Sequence, residues 1–142
     1  MSTDETAHLI RRTYEAYGRG DLQTVFAGLA EDIEWRSQGT DDSLPWAGRF
    51  AGHDQVGQFF ARVAEAVTVE TFEVLDVIVE GDRAAVVARI TARLRTNGRS
   101  LTAEKADILQ VRDGKIVRFT EYYDTGLVAR TLAAPPEAQQ PA

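Results

Sequence analysis

Four charged residues in the second half of the 142-residue chain, Arg89, Lys105, Asp107 and Glu121, have the types and spacing for acid–base chemistry. Two carboxylates serve as proton donor and acceptor when their surroundings push their pKa values apart. A lysine and an arginine beside them would do this, by favouring the charged form of one partner. Whether the four meet depends on strand register. A three-residue loop ending at Gly114, with the glycine left-handed, opposes Val111 to Lys115, Asp107 to Phe119 and Lys105 to Glu121. A three-residue Thr96-Asn97-Gly98 loop then opposes Arg89 to Lys105 and Val87 to Asp107. All of these charges and Phe119 would share one face. A two-residue Asn97-Gly98 turn is the competing register. It sends Arg89 to the opposite face, because side chains alternate along a strand. On the first register Glu121 shares its row with two cations and stays ionised. Asp107 lies between Val87 and Phe119, where desolvation raises its pKa. Asp107 is then the expected donor, Glu121 the acceptor, and Arg89 and Lys105 their electrostatic partners. The plainer alternative is that the same charges form structural ion pairs.

The elements that position these residues follow from periodicity. Leu9, Ile10, Thr13, Tyr14, Ala16 and Tyr17 recur at helical spacing between Thr3 and Gly18. Asp21 caps a short second helix with Leu22, Val25, Phe26 and Leu29 on its apolar side. A brief strand is expected around Asp32–Ser37, then a long ordered loop from Gln38 to Gly52, then a third helix from His53 to Val67. Four β-rich segments follow, Val69–Val79, Arg83–Arg95, Ser100–Arg112 and Lys115–Tyr123. They are separated by Gly81-Asp82, Asn97-Gly98 and Asp113-Gly114, which are hairpin signals. Three N-terminal helices before an antiparallel meander make an α+β layout with helices on one face of the sheet. On the other face, Val86, Ala88, Ile90, Ala106 and Ile108 form an expected apolar patch suited to a homodimer. Residues 1–133 form one domain. Residues 134–142 hold three of the four prolines and are expected to be disordered.

Composition narrows the function classes. The net charge is −6, which disfavours nucleic acid as a partner. No apolar run reaches the ~18 residues of a membrane span. The N-terminus lacks the basic start and apolar stretch of a signal peptide, so a cytoplasmic location is expected. The chain has no cysteine and two histidines, His8 and His53, far apart in sequence. No thiolate nucleophile and no HxH or HExxH metal spacing exists. Phosphate loops and the GxSxG elbow are also absent. His53 or Asp54 is expected to cap the third helix rather than to react.

The segments YGRGDLQTVFAGLAEDIEW, WAGRFAGHDQVGQFFARV and DILQVRDGKIVRFTEYYD, in this order, resemble the nuclear transport factor 2-like superfamily. The likeness is closest to its SnoaL-like and ketosteroid-isomerase-like members and covers about residues 5–130. It implies a cystatin-like cone: a strongly curved antiparallel sheet and helices around an apolar pocket, with the convex face pairing two subunits. Asp107 stands where ketosteroid isomerases keep a protonated aspartic acid, its pKa raised by an apolar pocket so that it can donate a hydrogen bond to an oxyanion. Their catalytic base falls on Ser37 and their oxyanion tyrosine on Thr13, beside Tyr14. Glu121 and Arg89 stand where limonene-type epoxide hydrolases keep an aspartate and an arginine, but their second aspartate is Thr91 here. The resemblance implies a cofactor-independent, metal-free enzyme acting on a small apolar metabolite as an isomerase, cyclase or epoxide hydrolase. Asp107, Glu121 and Arg89 are the expected catalytic residues. Lys105, Phe119, Trp35, Ser37, Trp46, Tyr14 and Tyr123 are the expected substrate-binding ones, with Trp46 and Phe50 at the pocket mouth. The alternative is a non-catalytic ligand-binding or dimeric scaffold protein of the same fold.

Overall fold

A computed structural model of the chain describes residues 1–137. Helix α1 (Thr3–Gly18) begins in a capping box between Ser2 and Glu5 and buries Leu9, Ile10, Thr13 and Ala16. Helix α2 (Leu22–Ala27) starts where the Asp21 carboxylate accepts from the Thr24 amide. Strands β1 (Leu29–Ser37) and β2 (Gly48–Ala51) precede helix α3 (Gly52–Ala66), which buries Val56 and Phe59. Strands β3 (Val67–Glu80), β4 (Arg83–Leu94), β5 (Ser100–Arg112) and β6 (Lys115–Tyr123) form the expected meander. Helix α4 (Thr125–Ala133) follows, capped by Asp124. The six strands make one curved sheet in the order β2-β1-β6-β5-β4-β3, with the helices on its inner face.

Several features depart from the sequence-based picture, and Leu29, expected on the second helix, opens β1 instead because α2 ends at Ala27. The sheet is mixed rather than antiparallel, because β1 runs parallel to β6. Strand β2 lies inside the expected loop, and its four residues are too short to show a period. Helix α4 is a fourth helix, whose buried residue is Val128. No side chain caps α3. The Ala51 amide donates to Gln55 instead, and His53 Nε2 lies 2.9 Å from the Leu29 carbonyl oxygen.

The hairpins set which side chains face inward. Arg112 pairs with Lys115, so the β5–β6 turn is the two-residue Asp113-Gly114, both at positive φ (52° and 79°). A bulge between Gln110 and Val111 then brings Asp107 opposite Glu121 and Lys105 opposite Tyr123. The expected pairs are shifted by two residues, which preserves the face. The β4–β5 connection is a four-residue loop, 95–98, closed by the Leu94 amide donating to the Arg99 carbonyl. It pairs Arg89 with Glu104 and Val86 with Asp107. Arg89 therefore lies on the outer face, against the first register. For the same reason Val86, Ala88 and Ile90 point inward, Val86 and Ala88 fully buried, and leave the expected outer patch. Ala106 and Ile108 remain on the outer face, opposite Val87 and Ala85.

Residues 134–137 are held rather than loose. Arg99 Nε donates to the Pro135 carbonyl at 2.7 Å and the Glu137 amide to the Asn97 carbonyl at 3.0 Å. The remainder of the expected disordered tail, 138–142, lies outside the described residues. No helix among the described residues is long and apolar enough to cross a membrane.

Candidate active site

Three rows of cross-strand neighbours build the site on the inner face. The first is apolar: Leu109, Phe119, Trp35 and Phe50, on β5, β6, β1 and β2. Trp35 and Phe119 stack here with ring centroids 3.7 Å apart. The second row is polar: Val86, Asp107, Glu121 and Ser37, on β4, β5, β6 and β1. The third holds Lys105 and Tyr123. Two residues of strand separate equivalent positions in neighbouring rows, so Lys105 lies beside Asp107 on its own strand and near Glu121 across the hairpin.

The polar groups form one connected network. Lys105 Nζ donates to Glu121 Oε2 at 2.9 Å and stands 3.2 Å from Asp107 Oδ1. The second contact is ionic rather than an aligned hydrogen bond, since Oδ1 has no hydrogen-bond partner among the described residues. The Tyr14 hydroxyl donates to Asp107 Oδ2, and the Ser37 hydroxyl to Glu121 Oε1. Trp46 Nε1 donates to the Tyr123 hydroxyl at 2.8 Å. Asp107 is 0% exposed and Glu121 6%. The Lys105 ammonium also sits over the rings of Phe119 and Phe72, at 5.5 and 5.8 Å from their centroids.

The burial of this network perturbs its acids and bases. Desolvation pushes the Asp107 carboxyl up to about 6, with Lys105 opposing the rise and Glu121 adding to it. For Lys105 burial works against the charge, but the carboxylates of Asp107 and Glu121 outweigh it and hold the ammonium protonated. Burial and the Asp107 charge raise the Tyr14 phenol well above its usual value. Tyr123 is pushed up to about 12, by burial first and then by Glu121.

Above the network lies a cavity of about 170 Å³. Its wall is mostly aromatic and aliphatic, from Trp35, Trp46, Phe59, Phe60, Phe72 and Phe119 among others, and α4 contributes Val128. Tyr14, Lys105, Glu121 and Tyr123 reach it, whereas Asp107 and Ser37 stand behind them and act on the cavity through their neighbours. Of the ten site residues expected from sequence, nine are therefore gathered on the cavity or its backing row. Arg89 is not. It is half exposed on the outer face, 3.0 Å from Glu104 and 3.6 Å from Glu73. Without it the acid–arginine set of the epoxide hydrolases is not assembled here. Tyr17, one of the residues at helical spacing in α1, is a further cavity residue. Its spacing of three from Tyr14, on one side of α1, is the signal that marks it. Among the described residues no group of His, Asp and Glu is arranged to hold a metal ion.

The chain matches the model of the SnoaL-like domain over residues 10–119. An uncharacterised Mycobacterium tuberculosis protein, Rv0034, is 29% identical over 123 residues, covering 87% of this chain and 92% of that one. A nuclear transport factor 2-like protein of unknown function from Burkholderia pseudomallei superposes with a TM-score of 0.84 at 27% identity, over 94% of this chain and all of that one. A Xanthomonas campestris protein proposed to be a polyketide cyclase has the same fold, with a TM-score of 0.75 at 24% identity over 92% and 98% of the two chains. With the cone, its apolar cavity and a family match spanning most of its length, the chain belongs to the SnoaL-like family of the nuclear transport factor 2-like superfamily.

Proposed function

We propose that the chain is a cofactor-independent enzyme that moves protons on a small, largely apolar metabolite, as an isomerase or cyclase does. The observation that carries this reading is the placement of one buried Tyr14–Asp107–Lys105–Glu121–Ser37 network at the wall of an otherwise apolar cavity. Buried charge is costly, and a chain selected for stability alone would fill such a wall with apolar side chains. Glu121 is the base, because it reaches the cavity and Lys105 neutralises it there. Asp107 is the proton reservoir. When it is protonated its O–H turns toward the Tyr14 oxygen, and the Tyr14 proton becomes available to the cavity. The relative proposed as a polyketide cyclase is in keeping with this chemistry.

The test is proton exchange. A panel of apolar cyclic ketones and 1,3-diketones in deuterated buffer should include compounds whose acidic C–H exchanges faster with the protein than without it, by NMR. Glu121→Gln should abolish that gain. Binding of these compounds without exchange would favour the second reading, a non-catalytic ligand-binding protein. One observation supports that reading: both Glu121 oxygens already accept from the protein, from Ser37 and Lys105. For the assembly, a homodimer through the outer face is the arrangement we favour, with Ile78 and Tyr122 the large apolar side chains most exposed there.

A further inference from the structure

Most polar groups of the cavity wall already bond within the protein, and Trp35 Nε1, which has no partner among the described residues, is fully buried and cannot meet a ligand. Tyr14 donates to Asp107, Trp46 to Tyr123, and the Thr13 hydroxyl to the Leu9 carbonyl within α1. The Tyr17 hydroxyl differs. Its ring is fixed against Phe72 and Phe60, with centroids 5.0 and 6.0 Å away. It lines the cavity and lies within the field of Lys105, Asp107 and Glu121, yet it has no hydrogen-bond partner among the described residues. A donor held by aromatic packing in a largely apolar cavity, with its own bond unmade, is what orients a ligand oxygen in a pocket of this kind.

The charges decide which oxygen. Lys105 is the one cation of the cavity wall among the described residues, and it invites the assignment of a carboxylate receptor. It is not available for that role. Its single positive charge already faces two carboxylates, Asp107 and Glu121. A ligand carboxylate would be a third negative charge against one ammonium, and the Tyr17 hydroxyl alone would not replace the hydration it loses. A neutral carbonyl oxygen needs one hydrogen bond and brings no charge. We propose that Tyr17 is the donor that anchors an uncharged carbonyl ligand in the cavity, and that the Lys105–Asp107–Glu121 set excludes the corresponding carboxylate. Burial raises the Tyr17 phenol above its usual value, which keeps the proton on the donor.

This inference rests on the cavity being the ligand site and adds the class of ligand it takes. The probes are three naphthalenes of similar shape: 2-acetylnaphthalene, 2-naphthoate and 2-isopropenylnaphthalene. Both tryptophans of the chain, Trp35 and Trp46, line the cavity, so quenching of their emission reads binding directly. At pH 8 the ketone should bind at least tenfold more tightly than the carboxylate. Tyr17→Phe, checked for fold by circular dichroism, should weaken the ketone by about tenfold and leave the hydrocarbon unchanged, the size of one lost hydrogen bond. Glu121→Gln should narrow the gap between ketone and carboxylate. Carboxylate binding as tight as the ketone's overturns the charge argument. Equal weakening of ketone and hydrocarbon by Tyr17→Phe overturns the anchor. If none of the three binds the wild-type protein, the ligand-cavity reading itself falls, and this inference with it.

Discussion

The two faces of the central strands handle charge in opposite ways. On the outer face Arg89 pairs with Glu73 and Glu104, Arg93 with Glu70, and all of these side chains are at least two-fifths exposed. On the inner face Lys105 pairs with Asp107 and Glu121, and none of the three is more than 13% exposed. The outer charges keep water as an alternative partner, so each can be lost separately. The inner charges have only one another and two hydroxyls, so each depends on the rest. That interdependence is what the proposed site rests on, and it separates two lysine- and arginine-centred clusters that are alike in sequence.

The largest effect should come from removing the inner cation. Lys105→Met leaves two buried carboxylates without a counter-charge, and should cost about 3–5 kcal/mol in urea unfolding at pH 7.5. The same substitution together with Asp107→Asn and Glu121→Gln removes the charges as a set and should recover most of that loss. A single Lys105→Met variant as stable as the wild type would mean that the inner cluster behaves like the outer one.

A smaller effect is set by pH. The Asp107 carboxyl titrates at about 6 in the folded protein, above its ordinary value near 4 when unfolded. Between those values the native state binds the extra proton. Its contribution to stability is therefore full below about pH 4 and is lost as pH rises through about 6, by on the order of 2–3 kcal/mol. The gap in stability between wild type and Asp107→Asn, measured at pH 4.5 and 7.5, should change by this amount in favour of the variant at the higher pH. A gap that stays constant would show that Asp107 has the same affinity for a proton folded and unfolded.

Much of this was legible in the chain, and the exceptions have a common cause. Alternation alone put Asp107, Phe119 and Glu121 on one face. It survived a two-residue error in register because the Asp113-Gly114 turn and the bulge after Gln110 changed the offset by an even number. Arg89 failed because the neighbouring loop changed it by an odd one. That loop is shaped from outside the hairpin. The Asn97 side-chain amide is buried and donates to the Thr131 and Ala134 carbonyls at the end of α4, at 2.8 and 3.1 Å. Satisfying the last carbonyls of a helix holds the loop at four residues. Nothing local to Thr96-Asn97-Gly98 could reveal a contact with a helix some 35 residues later, a separation visible only in the fold. Tyr14 and Ser37 reached the candidate set through family likeness. Their bonds to Asp107 and Glu121 required the superposition of α1 and β1 on the hairpin.

The smallest effect belongs to Arg89, and it sharpens the comparison most. As a half-exposed side chain with two exposed carboxylate partners, its removal in Arg89→Ala should cost no more than about 1 kcal/mol, the range of surface ion pairs. It should leave proton exchange by the cavity unchanged, because its guanidinium is on the far side of the sheet from Glu121. The outer face adds a condition. If two copies pair there, Arg89 is enclosed by the partner, and its loss acts on association as well as on folding. The melting temperature of the wild type should then rise with protein concentration, as it does whenever a native dimer unfolds to monomers. Sedimentation should give twice the chain mass at micromolar concentration, and Arg89→Ala should shift that equilibrium toward the monomer. A concentration-independent melt and a mass of one chain would leave the outer face as solvated surface. In either case the exchange reaction must survive the substitution. Its loss in a folded Arg89→Ala variant would show that the outer cluster reaches the cavity, and would remove the distinction between the faces on which the assignment of Glu121 and Asp107 depends.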